Sequence, residues 1–457
     1  MCKIIYFVFL TLITSLKNVF LHYMMTVFNK FYFILLFLIL TLKIVSQDDY
    51  VNDNQMRYED WNYKPYIQTI QLHESTFDAN PAILKFNSEE QLELSFDDLE
   101  ADKKMYTVSF IHCDANWQPS NLVSAEYMNG FFEANILNFN FSTNTIQKYT
   151  HYSILFPQSN MQFSKTGNYI AYVYEDNDKE KIILTKRFMI YEDKITVVAN
   201  VRQAIGNDEQ YEKQHIDFNL INSQYELTNP FTDLKVVITQ NNRWDNAVTD
   251  IKPTFVEPRQ LTYSLDDKST FNGGNEFRFF DSRSLRTYTE RVADIYRDSV
   301  YNYHLVLKLD ELKTFKNYSF YNDLNGSFLI KNKDMVGSPD TEGDYAWVHF
   351  FLPYDNAQGE GNFYVLGKLT EWRLNKTNRM TYNYKKHGYE CSLYIKQGYY
   401  NYTYVYLKDE KKGGDETLTE GNHWETENDY TIYVYHRQRS TYYDQLVAIK
   451  RFNSFKR

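Results

Sequence analysis

From Tyr66 onward, apolar and polar residues alternate with a period of two in short runs set at fairly even intervals. YIQTIQLH (66–73), AILKF (82–86), QLELSF (91–96) and MYTVSFIHC (105–113) show it first. NYIAYVYED (168–176) and IILTKRFMIYE (182–192) continue it. Alternation of this kind sends successive side chains to opposite faces of a pleated strand, one face toward a core. Turn chemistry such as KTGN (165–168) separates the runs. Many short strands bounded by turns predict a β-sandwich rather than alternating βα units. A first domain over 66–193 follows.

A second set of runs repeats the pattern: HIDFNLI (215–221), DLKVVITQ (233–240), LTYSL (261–265), NEFRFF (275–280), YNYHLVLKL (301–309) and GSFLIKN (326–332). SPDTEG (338–343) is short and polar with Pro and Gly, and is expected to be a linker. A third set begins at YAWVHFFL (345–352) and ends at IYVYH (432–436). The best helical segment is RTYTERVADIYR (286–297). The predicted fold is therefore all-β: three consecutive immunoglobulin-like or E-set-like β-sandwich domains, at 66–193, 194–337 and 338–438. A tail at 439–457 is expected to follow them.

The first 46 residues break the pattern. They contain Lys3, Lys17, Lys30 and Lys43 and no acid. Their apolar runs, 4–16 and 31–42, are each shorter than the roughly 20 residues of a spanning helix. Lys30, the second run and the small Ser46 read as a cleavable secretory signal, with synthesis starting at Met24 or Met25. No cysteine lies near the cleavage point, so no lipid anchor is expected. An acidic tail (47–65) leads into the sandwiches, and the mature chain is expected to be exported and free of a direct bilayer anchor.

Composition sharpens this reading. Tyr (41) and Phe (33) are abundant while Gly (16) and Pro (9) are scarce, which favours half-buried pleated surfaces. The formal charge of −10, with no basic stripe, argues against nucleic acid as a partner. Cys113 and Cys391 are too few and too far apart for a disulfide framework and are expected to be buried free thiols.

Nothing in the sequence assembles a catalytic set. There is no G-x-S-x-G, H-E-x-x-H, C-x-x-C or Walker loop. GEGNFY (359–364) lacks the third glycine of a dinucleotide fingerprint and precedes a strand. His112 beside Cys113 sits in an apolar strand and reads as a satisfied core pair. DLEAD (98–102) and EDNDKE (175–180) read as solvated turns rather than a glycosidase carboxylate pair. No catalytic residue, metal ligand or cofactor site is expected, and the chain is not expected to be an enzyme.

Two resemblances add to this. GNFYVLGKLTEWRLNKTNRM (361–380) with YECSLYIKQGYYNYTYVY (389–406) resembles starch- and glycogen-binding β-sandwiches, with Trp372, Met380, Gly398 and Tyr399 at the pattern positions. It leaves an envelope carbohydrate-binding protein, with Trp372 stacking on a sugar, as the alternative function. A broader series runs in order along the mature chain: FIHCDANWQPSNL (110–122), EYMNGF (126–131), STNTIQKYTHY (142–152), QNNRWDNAV (240–248), FNGGNEFRFFDSRSLR (271–286) and EGNHWETENDYTIYVYHR (420–437). This series resembles the plug proteins of the type IX secretion system of Bacteroidota. The resemblance implies a periplasmic, non-catalytic protein associated with the outer-membrane translocon barrel, whose periplasmic opening it seals. Within FNGGNEFRFFDSRSLR, the glycines suit a tight turn, and Arg278, Asp281, Arg283 and Arg286 are candidate partner-binding residues.

Overall fold

The structure, a computed structural model, describes residues 55–455 apart from 207, 208, 265, 266, 356, 410, 412 and 439. The expected signal region and residues 47–54 of the acidic tail lie outside the described residues. Met56–Arg457 forms one compact unit. It is all-β, with helical content limited to short turns, and every strand-like run quoted above contains or overlaps a strand.

The first sandwich packs two sheets. One is ordered Trp61–Asn62, Ile182–Tyr191, Gly167–Glu175, Tyr106–Cys113 and Glu133–Asn135, with Ile83–Lys85 parallel to Ile182–Tyr191. The other is ordered Ile67–Glu74, Leu92–Asp98, Thr150–Phe156 and Asn138–Phe141. Between them lies a core that includes Leu94, Phe96, Tyr152, Tyr169, Val173 and Phe188.

The remaining strands do not follow the expected boundaries. Thr196–Gln203, Lys213–Ile221 and Gln260–Tyr263 share a sheet, but the sheet opposite them joins Leu234–Gln240 to Asp429–His436 and Gln445–Asn453. Together they enclose one core containing Phe218, Ile238, Tyr263, Ile432 and Val434. The segment expected as a C-terminal tail thus carries a strand of the second core. Conversely, Arg278–Asp281, Val292–Arg297 and Tyr303–Leu307, expected in the second domain, join sheets with Gly398–Lys408 and Tyr345–Pro353. Phe280, Leu305, Phe350 and Tyr402 share the third core. The third sandwich is thus inserted into the second. Periodicity reports which face of a strand is buried and is silent on its partner, which is why this exchange is invisible in the sequence.

Two smaller expectations also change. RTYTERVADIYR is not helical: Val292–Arg297 is a strand paired with Tyr303–Leu307, its register shifted between Val292 and Asp294. An extra residue there puts Val292 and Ile295 on the core side three apart, which imitates helical spacing. SPDTEG is not a free linker. It forms the turn Pro339–Glu342, capped by Ser338, and Thr143 N donates to Thr341 O at 2.9 Å.

Tyrosine explains how the layers join. In Gly167–Glu175, Tyr169, Ala171 and Val173 face the first core, while Ile170, Tyr172 and Tyr174 face outward into a separate apolar layer. Asp429–His436 is equally two-sided: Tyr430, Ile432 and Val434 point to the second core, and Tyr433 and Tyr435 enter that same layer. The Tyr435 hydroxyl donates to Asn168 Oδ1 at 2.8 Å. A phenol ring fills the gap between two sheets and its hydroxyl satisfies a buried polar group at the far side.

First and third sandwiches meet around Asp97, which is fully buried. It takes Lys396 Nζ at 2.7 Å, the Tyr345 hydroxyl at 2.7 Å and His151 Nδ1 at 2.7 Å. Asp344 accepts the backbone N–H of Ile146 at 2.6 Å and of Gln147 at 3.1 Å, so 142–149 is a docking loop between the two.

Candidate functional site

Three of the segments that are far apart in sequence converge where the second and third sandwiches join. Gly273 has no room for a side chain, since a Cβ there would lie 2.0 Å from the His423 carbonyl oxygen. Gly274 adopts φ +68°, a left-handed conformation natural to glycine. The turn is then zipped to 420–428. His423 N and Thr426 Oγ1 donate to Gly274 O at 2.9 and 3.0 Å. Asn275 Nδ2 donates to Glu420 O at 2.9 Å, and Asn428 Nδ2 to Gly273 O at 2.9 Å. From the third segment, Asn241 donates through Nδ2 to Asn428 Oδ1 at 2.8 Å and accepts from Asp429 N at 2.9 Å. Trp244 meets Trp117 of the first sandwich edge-to-face at 5.0 Å.

The expected partner-binding residues divide by depth. Arg278 is buried: Nε donates to Glu420 Oε1 at 2.9 Å, one terminal nitrogen to Asp310 Oδ1 at 3.2 Å and the other to the Glu311 carbonyl at 2.8 Å. Asp281 is also buried and accepts two bonds from Arg283, at 2.8 and 2.6 Å. Burial alone would raise the Asp281 carboxyl, but Arg283 and Lys333 hold it below the usual range. Arg283 is half-buried and lies over the Tyr399 ring, while Arg286 is exposed. Trp372 is half-buried, in the left-handed region at φ 55°. Its ring meets Phe277 edge-to-face at 5.8 Å, and the Arg243 guanidinium lies 4.6 Å from its centroid.

Trp372 also borders a cavity of about 310 Å³, together with Asp60, Lys186, Lys368, Asp323 and Asp429. In its wall Lys186 reaches Glu371 at 2.9 Å and Asp60 at 3.3 Å. Burial lowers the Lys186 ammonium, yet these two carboxylates hold it above its ordinary value. Lys368 is pushed down by burial and by Lys186. Asp323 is driven up to about 7 by burial.

Sequence reasoning missed these charged side chains. Lys186 and Lys396 lie within strand runs, where they read as ordinary solvent-facing positions. The available signal was that Lys186 falls inside the largely apolar strand run IILTKRFMIY, and that Lys396 ends the run YECSLYIK. Asp98 of DLEAD is not solvated: it is fully buried, accepting from the Tyr106 hydroxyl at 2.8 Å and Lys104 at 2.9 Å. His112 is engaged at both nitrogens, by Ser120 Oγ at 2.8 Å and Thr166 O at 3.1 Å. Burial pushes it down to about 4 and raises the neighbouring Cys113 thiol to about 12, so imidazole and thiol are both neutral. Cys391 is likewise pushed up by burial, to about 11.

Stacked sandwiches whose buried charges fasten one sheet to another define an all-β class of protein. Comparison with known proteins gives that class a family. Residues 67–192, the first sandwich, match the type 9 secretion system plug protein 1st domain. The crystal structure of a hypothetical protein from Parabacteroides merdae ATCC 43184 is 32% identical. It aligns with a TM-score of 0.84 over 87% of this chain and 100% of that one. No curated protein matches. The chain belongs to the type 9 secretion system plug protein family.

Proposed function

We propose that the chain is a periplasmic plug that seals the periplasmic opening of the type IX translocon barrel in the outer membrane. The observation that carries this reading is the match of its first sandwich to the plug family's first domain. The architecture supports it physically. A stopper must hold its shape against a pore, and here three cores are joined by a buried tyrosine layer and the Asp97–Lys396 pair. The chain is proposed to reach the periplasm through a cleavable signal and to act without catalysis. The glycan-binding alternative gains no support from Trp372, whose ring already carries Arg243 and Phe277.

A barrel wide enough for folded cargo cannot exclude smaller solutes unless something fills it. Cells lacking this protein should therefore admit a large antibiotic, and deleting the barrel as well should restore exclusion. Entry that persists without the barrel would refute the sealing role. Arg283 and Arg286 are the proposed partner contacts still within reach of another protein. Arg286→Glu is expected to weaken co-purification with the barrel while leaving the melting temperature unchanged.

A further inference from the structure

The seam that joins Gly273–Arg278 to 420–428 holds acids that the sheet contacts do not account for. Glu276 is 2% exposed, and Asp323 and Glu427 are half-buried. One carboxylate oxygen from each lies within 4.8 Å of the other two. Carboxylates so close together repel one another where water is scarce. The other acid group of this kind shows the ordinary remedy: Lys104 Nζ sits among Asp98 at 2.9 Å, Glu100, and Asp102 at 3.8 Å.

Among the described residues no lysine fills the seam in that way. Lys313, nearby, donates to the Glu276 backbone carbonyl at 2.8 Å and the Tyr321 hydroxyl at 2.9 Å, and its ion-pair contact is Glu420 at 3.9 Å. The acids are held by neutral donors instead. Tyr318 OH reaches Glu276 Oε1 at 2.5 Å, and the N–H groups of Phe277 and Asn325 reach Asp323 at 2.5 and 2.6 Å. Asn325 Nδ2 donates to Glu427 at 3.3 Å and Asp429 at 3.2 Å, and Asn453 donates to the same two acids.

Two oxygens at this place have no donor among the described residues. Glu276 Oε2 and Asn325 Oδ1 are buried and unsatisfied. Leaving a buried acceptor bare is unfavourable, and such groups ordinarily have a partner. One of the two is a neutral amide, so the vacancy is not simply another sign of crowded charge. Both are hard oxygen donors.

We propose that Glu276, Asp323, Glu427 and Asn325 bind one Ca²⁺ ion, which clamps the inserted third sandwich to the last strands of the second. Ca²⁺ takes six to eight oxygens at about 2.3–2.6 Å, so ligands on opposite sides of it stand about 4.8 Å apart. One oxygen of each of the three carboxylates lies within that distance of the other two. Mg²⁺ demands near-octahedral geometry at about 2.0–2.1 Å and keeps several of its waters, so a buried set of protein oxygens suits it less well. The site is independent of the plug reading and stands or falls separately from it.

The test strips the purified protein with EDTA, returns it to chelator-free buffer at neutral pH, and measures Ca²⁺ binding by equilibrium dialysis alongside thermal unfolding. One equivalent should bind. At a concentration about a hundred-fold above Kd, the unfolding equilibrium constant should fall about a hundred-fold. Glu276→Gln and Glu427→Gln should each lose that equivalent, yet melt no lower than the parent in EDTA, because an amide removes repulsion. Glu100→Gln, in the lysine-filled group, should keep it. Dialysis of the parent protein decides the matter even if a variant does not fold. No binding at millimolar Ca²⁺, binding retained in both glutamine variants, or equal competition by Mg²⁺ would overturn the proposal.

Discussion

Arg278→Ala is expected to destabilise the protein by about 3–5 kcal/mol, the usual cost of removing one member of a buried charge cluster. Its partners set where in that range the value falls. Asp310 keeps Arg291 at 2.8 Å and two tyrosine hydroxyls, from Tyr402 and Tyr404, each at 2.7 Å, so it remains compensated. Glu420 is left worse off. It retains the Tyr404 backbone N–H at 3.3 Å and Lys313 at 3.9 Å, and it is only 3% exposed. The cost should thus lie near the lower end, about 3 kcal/mol, and arise mainly from Glu420. Adding Glu420→Gln should recover part of the loss, because the stranded charge is then gone. Equilibrium unfolding in urea, fitted for the parent, both single variants and the double variant, gives the coupling directly. A loss below about 1 kcal/mol would refute the internal role, since a buried ion pair cannot be broken so cheaply. If such a variant also failed to co-purify with the barrel, Arg278 would belong to a partner surface instead.

Asp97 should give the fold an acid-sensitive link. Burial raises its carboxyl, but Lys396 and His151 outweigh that and hold it below the ordinary value. The stability it contributes is therefore complete above about pH 4 and is lost as pH falls through the lower folded value. Asp97→Asn should destabilise at neutral pH and flatten the acid limb of a stability–pH curve; an unchanged limb would sink the account. Cys113 and Cys391 should react with Ellman's reagent only after unfolding, and fast labelling of the native protein would contradict their burial. Trp372→Ala should cost about 3 kcal/mol by calorimetry, the lower part of the range for truncated aromatics because the ring is only half-buried. An unchanged melting temperature would show that the ring supports nothing internal.

The strands were legible because alternation is a local property. The run 168–175 could be read as a strand from its own residues. That both its faces are buried depends on Tyr433 and Tyr435, more than 250 positions away in the chain, and no local pattern carries that. Leu234–Gln240 equally gave no sign that it pairs with Asp429–His436. The bulge at Ala293 shows the opposite failure, where one extra residue turned a true strand into a helix-like spacing. At the site, Gly273 and Gly274 signalled a tight turn correctly. The arrival of Glu427 and Asp323 beside Glu276 could not be foreseen, because three acids on three loops become a group only when the sheets close.

The insertion of one sandwich within another also sets a schedule. A chain is made and delivered N-terminus first, and domains generally fold as units in that order. The first sandwich has all its strands by Tyr191, so it can mature before the rest has arrived. The second core cannot. Its strand Leu234–Gln240 waits for Asp429–His436, which in turn pairs with Gln445–Asn453, almost the last residues of the chain. Pairings over such separations are slow to form. A product cut short before Asp429 would thus carry a finished head and an open, sticky middle whose second core could not close.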